Sequence, residues 1–155
     1  MVTRRGFLAH AAGLVAALAA GRRLWAVPPH AATPITIYKS ASCGCCAKWV
    51  DYVKAAGFVP SVHDEEQMDS IKDDLGVPSG VRSCHTAIVE KYLIEGHVPA
   101  SDIRRLLADR PDVLGLAVPG MPTGTPGMLA PGAAPEPYDV VAFTTSGSTS
   151  LFARH

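Results

Sequence analysis

Clustered positive charge, long apolar runs and the side-chain constellations of hydrolytic or phosphoryl chemistry are scarce in this 155-residue chain. It has no phosphate-cradling glycine loop, no hydrolase triad and no carboxylate pair spaced for acid/base work, and Glu95 and Asp102 have no evident partner. Lys and Arg number 14, as do Asp and Glu, yet Arg4, Arg5, Arg22 and Arg23 all fall in the first 32 residues, which hold no acidic side chain. The remainder carries ten basic against 14 acidic residues and no basic run. That balance argues against nucleic acid, whose binding rests on neutralising phosphates. The stretch from Leu8 to Ala20 is apolar, but Gly21-Arg22-Arg23 ends it short of the about 20 residues that span a bilayer. With 48% hydrophobic and 18% charged residues, the composition fits one small globular domain with a modest core.

The amino terminus reads as an address. Thr3-Arg4-Arg5-Gly6-Phe7-Leu8 sets paired arginines ahead of the apolar stretch, the order of an export signal. It resembles a twin-arginine signal, which a receptor reads and which does not anchor the chain. The mature protein is therefore expected in the periplasm without a membrane span, with cleavage between Ala26 and Ala32. Residues 1–32 are assigned to the signal and a joint, 33–145 to the folded domain, and 146–155 to a frayed tail.

Within the domain, Ile35-Thr36-Ile37-Tyr38 reads as a strand. Trp49, Val53 and Ala56 mark one face of a helix that Gly57 stops. Phe58 to His63 is a second strand, and its Pro60 points to a sheet edge. Met68, Ile71 and Leu75 mark a second helix, with Asp64 or Asp69 as its expected cap. Thr86–Val89 and Tyr92–Ile94 are too close for a crossover and pair as a hairpin. Ser101 is the expected cap of a third helix, which buries Ile103, Leu106 and Leu107. Residues 111–137 hold seven Pro and five Gly, so no regular element is expected there. Tyr138 to Thr144 reads as one added strand. The expected fold is therefore α/β, a thioredoxin-like β-α-β-α-β-β-α core with a Pro/Gly-rich extension.

The four cysteines carry the chemistry. Cys43-Gly44-Cys45-Cys46 falls between the first strand and first helix, where free N–H groups and the helix dipole favour a thiolate. Cys84 opens the third strand, on a loop that packs against that helix terminus in a thioredoxin-like layout. The segment Gly80 to Thr86 resembles the one around the thioredoxin cis-proline, with His85 in the proline's place. Cys84 is thereby expected near the other three, and four converging sulfurs suit Cu(I) and, less well, Zn(II). Zinc would more often draw paired Cys-x-x-Cys ligands. His85, His97, Met121 and Met128 are further candidate ligands. Strand alternation would send Cys84 and His85 to opposite faces. His97 sits in a turn that suits backbone bonding. The methionines suit either a flap over the site or a plug in an apolar gap. His63 and His155 read as surface and tail.

Plainer readings stay open: a Cys43–Cys46 disulfide with a spare thiol, and Cys84 as a small core residue. An enzymatic alternative is a thiol–disulfide oxidoreductase using Cys43 and Cys46, although Cys45 would compete for the mixed disulfide.

Four motifs together carry a family resemblance: Cys43-Gly44-Cys45-Cys46-x-x-Trp49, Ser83-Cys84-His85-Thr86-Ala87, Ile94-Glu95-Gly96-His97-Val98-Pro99 and Gly115-Leu116-Ala117-Val118-Pro119-Gly120-Met121-Pro122. They resemble the CopG-type family of bacterial periplasmic copper-resistance proteins, over about Ile35 to Phe143. The resemblance implies a thioredoxin-like fold that binds copper through Cys43, Cys45, Cys46 and Cys84, in a multinuclear thiolate cluster. It also implies copper tolerance beside efflux pumps and other copper-handling proteins. Lys91 departs from the family pattern, which would place glycine in that hairpin turn.

Overall fold

The computed structural model describes residues 32–129 and 131–155, so the signal and joint assigned to 1–32 lie outside it except for Ala32. Strand β1 (Thr33–Lys39), helix α1 (Gly44–Ala55), β2 (Phe58–Asp64), α2 (Met68–Asp74), β3 (His85–Val89), β4 (Tyr92–Glu95) and α3 (Ala100–Asp109) follow the expected order, with a 3-10 turn at Ser79–Val81. Strands β5 (Gly115–Ala117), β6 (Asp139–Phe143) and β7 (Thr149–Arg154) come after them. The seven strands among the described residues form one mixed sheet in the order β2-β1-β3-β4-β5-β6-β7. β1 and β2 run parallel through the α1 crossover, and β3 and β4 form the antiparallel hairpin. Among the described residues no helix is long and apolar enough to cross a membrane.

The register sorts side chains between two cores. Ile37 faces Ala87, which faces Ile94, and these join Trp49 and Val53 of α1 and Ile103 and Leu106 of α3 in one buried cluster. On the opposite face, Leu93, Ala117 and Phe143 pack with Val77 and Val81. Trp49 anchors the first core, since its ring is fully buried and its Nε1–H donates to the Val98 carbonyl at 3.0 Å. The Tyr52 hydroxyl accepts from the Ala100 amide at 3.1 Å and ties α1 to the start of α3. Pro60 lies in the edge strand β2, the place in a sheet that tolerates a residue without an N–H.

The structure corrects several expectations. One added strand becomes three, because β5 arises inside the 111–137 stretch and β7 replaces the frayed tail. Gly115 makes β5 fit, since a Cβ there would sit 2.0 Å from the Leu93 carbonyl oxygen of β4. The C-terminus is docked. Tyr138 and His155 exchange backbone bonds of 3.1 and 3.0 Å, their rings stack at 5.0 Å, and His155 Nε2 lies 2.7 Å from Asp102 Oδ2. The expected caps also fail. Gln67 and Pro99 occupy the two N-cap positions without a side-chain bond, while Ser101 and Asp69 lie inside their helices and Asp64 pairs with Lys39. Pro99 replaces the cap by fixing φ at −61°, an angle suited to helix entry. In the hairpin turn the positive φ falls on Glu90 rather than Lys91, so the turn does not need glycine at 91.

Candidate metal centre

The first half of the site is local. Gly44, Cys45 and Cys46 form the first turn of α1, and Cys43 stands at its N-cap. Cys43 and Cys46 are joined as a disulfide, with Cα atoms 5.3 Å apart, while Cys45 and Cys84 are free. Cys45 Sγ lies 3.4 Å from Cys43 Sγ. Cys46 is fully buried, and the other three cysteines are half-buried.

The second half comes from the far loop. Cys84 lies just ahead of β3, and its sulfur joins the other three so that all four Sγ atoms are within 4.8 Å of one another. Cys46, Cys84, His85 and His97 form a second such group within the same limit. The two groups share Cys46 and Cys84, so six donor residues form one contiguous set. Because Cys84 precedes the strand, alternation does not separate it from His85, whose Nδ1 lies 3.4 Å from Cys84 Sγ.

The imidazoles are held by different means. His97 Nδ1–H donates to the Pro126 carbonyl at 2.7 Å, which leaves Nε2 as the acceptor facing Cys84 Sγ at 3.1 Å. His97 therefore makes the expected backbone bond and also reaches the sulfurs. His85 packs on Trp49 with ring centroids 4.4 Å apart, and its buried Nε2 has no hydrogen-bond partner among the described residues. Burial holds both imidazoles below the usual histidine range, His85 well below it, and keeps them neutral and able to donate a lone pair. Burial, with Cys45 beside it, pushes the Cys84 thiol up to about 11.

The 120s loop closes one side of the site. Gly127 takes φ +87°, and a Cβ there would sit 3.0 Å from the Trp49 nitrogen and 3.2 Å from the Cys45 carbonyl oxygen. Only glycine fits this backbone contact without strain. Met128, next to it, is half-buried, whereas Met121 is 54% exposed. His63 is exposed, as expected, and His155 belongs to the β6–β7 edge instead of a tail.

Sequence reasoning missed one feature beneath the site. Glu95, read as unpartnered, is fully buried and paired with Lys72 Nζ. Its Oε1 accepts from the Ser83 amide at 2.6 Å, and its Oε2 accepts from the Thr86 hydroxyl at 2.6 Å. Lys72 Nζ also donates to Thr86 Oγ1 at 2.8 Å. A lone Lys among the acidic residues of α2 gives no sign of burial, whereas Glu95, directly after the apolar run of β4, does.

Comparison with known proteins agrees with this geometry. A family model described as a protein of unknown function, DUF411, matches residues 81–128, the span from the Cys84 loop to Met128. No curated protein matches the chain. Two solved forms of a copper resistance protein CopG are 43% identical to it, with TM-scores of 0.75 and 0.74, covering 80% of this chain and 98% of theirs. With four clustered cysteines at the sheet's end and that degree of identity over most of its length, the chain belongs to the family of the copper resistance protein CopG.

Proposed function

We propose that the chain is a periplasmic protein that binds Cu(I) through Cys43, Cys45, Cys46 and Cys84 and serves copper resistance. The observation that carries this reading is the overlap of two donor groups through Cys46 and Cys84, each within 4.8 Å. Thiolates and neutral imidazoles are soft or borderline donors that suit Cu(I), and sulfurs shared between groups favour bridging over a single closed site. One tetrahedral zinc would use four donors and leave the rest idle. His85 and His97 are the nearest additional ligands, and Met128 and then Met121 are the candidates from the 120s loop. The order β2-β1-β3-β4 with α1 and α3 packed together supports a thioredoxin-like core. The paired arginines ahead of an apolar stretch support export by the twin-arginine route.

Loading all four sulfurs requires the Cys43–Cys46 bond to take two electrons from a thiol reductant, releasing two thiolates. Run in reverse, the dithiolate gives one electron to each of two Cu(II) ions, producing two Cu(I) and the disulfide. This supports a copper redox role. Other copper-handling proteins or an efflux system are the natural recipients of the metal.

The disulfide favours a second reading, a thiol–disulfide oxidoreductase using Cys43 and Cys46. Cys45→Ser separates the two. A thiolate cluster loses copper on this change, measured by Cu(I) titration of reduced protein, whereas an oxidoreductase keeps or gains disulfide exchange. Unchanged copper binding in Cys45→Ser would overturn the cluster.

A further inference from the structure

A buried ion pair is an expensive way to fill space, because each charge gives up its hydration and an apolar pair of similar volume is often as stable. Lys72 and Glu95 are 3% and 0% exposed, so stability alone does not account for a charged pair at this place. The bonds of Glu95 supply one. Its two oxygens hold the two ends of a single four-residue segment, Oε1 taking the Ser83 amide and Oε2 the Thr86 hydroxyl. The residues between those ends are Cys84 and His85. Lys72 braces the same assembly by donating to both Glu95 and Thr86. Ser83 is also held from outside, its hydroxyl donating to the Gly120 carbonyl at 2.7 Å.

We infer that Lys72 and Glu95 are positioning residues for the metal centre, a carboxylate clamp that sets where Cys84 and His85 present their donor atoms. The inference rests on the reading of Cys84 as a copper ligand and deepens it. Neither Lys72 nor Glu95 touches a cysteine sulfur among the described contacts, and β3 alone does not fix Cys84, which lies ahead of its first residue. The clamp supplies the missing constraint from the α2 face of the sheet, and His97 supplies another from the α1 face. Partners of this kind, one layer outside the ligands, typically change metal affinity by about 10- to 100-fold when removed.

The test compares two double variants with the full-length wild type. Lys72→Met with Glu95→Leu removes both charges together and leaves no buried ion, so folding is expected to survive. It should weaken Cu(I) binding by about 10- to 100-fold in competition with a chromophoric Cu(I) chelator. Lys72→Met with Glu95→Gln keeps a carbonyl oxygen for the Ser83 amide and an N–H for Thr86 Oγ1, and should restore most of that loss. Wild-type affinity in the folded Leu variant would overturn the inference, as would equal loss in both variants. Should the Leu variant not fold, hydrogen exchange at the Ser83 amide of reduced, metal-free wild type decides. Protection supports the clamp, and exchange at the rate of an open loop overturns it. Cys84→Ser, titrated alongside, judges the underlying reading separately. If it binds Cu(I) as wild type does, Cys84 is not a ligand, while the Ser83 amide still reports on the clamp.

Discussion

The two segments that deliver the sulfurs differ in what brings them there. Cys43, Cys45 and Cys46 meet through local geometry, a turn running into the first turn of α1, and a disulfide closes within it. Cys84 stands 38 residues beyond Cys46 and arrives through tertiary structure, held by the sheet, the buried Lys72–Glu95 pair and the contact with His97. Helix geometry thus specifies one half of the site, and tertiary packing and charge specify the other. Damage to the packing should therefore disable Cys84 and leave the local trio intact.

Breaking the clamp on one side is the most severe way to test that contrast. Lys72→Ala strands the Glu95 carboxylate without its counter-ion in the core, and removal of one partner of such a pair typically costs about 3–5 kcal/mol. Denaturant unfolding should show that loss, while mass analysis still finds the Cys43–Cys46 disulfide in the oxidised protein. An unchanged unfolding midpoint would mean that the pair does not hold the distant half. A smaller effect is expected at the flap. Gly127→Val places a side chain at φ +87° against the α1 backbone, a left-handed conformation that costs an L-residue about 1–2 kcal/mol. Thermal unfolding should report it, and a stability equal to wild type would show that the 120s loop is not seated on α1.

The smallest effect sharpens the contrast through pH. In metal-free, oxidised protein the Cys84 thiol is raised from 9.0 to about 11 by burial. The fold then holds the proton more tightly than the unfolded chain does. That contribution is complete below pH 9 and is lost as pH rises through about 11. Unfolding free energy should fall over this window in wild type and fall less in Cys84→Ser. Parallel curves would remove the burial argument.

The sequence made the two halves unequally legible. Periodicity marked α1 and α3 because each has one apolar face, which Trp49 and Val53 or Ile103 and Leu106 show plainly, while short apolar runs marked β1, β3 and β4. Cys84 could be placed beside the other sulfurs only by resemblance to a known layout, since no local pattern links residues 38 positions apart. The Lys72–Glu95 pair was hidden because a charge on a short polar helix reads as solvated, and its burial depends on what the far side of the sheet offers. β5 was masked by its composition, as three residues between Pro and Gly show no period. β7 was masked by the Ser, Thr and Gly ahead of it. The caps were misread because Pro99 sets the entry to α3 through its ring, where a hydroxyl at Ser101 was expected to set it through a hydrogen bond.

Metal analysis of anaerobically purified protein is the sharpest check on the convergence of both halves. More than one copper per chain is expected, falling when Cys84 is replaced by Ser. One zinc per chain, or no metal with an intact Cys43–Cys46 disulfide, would contradict it.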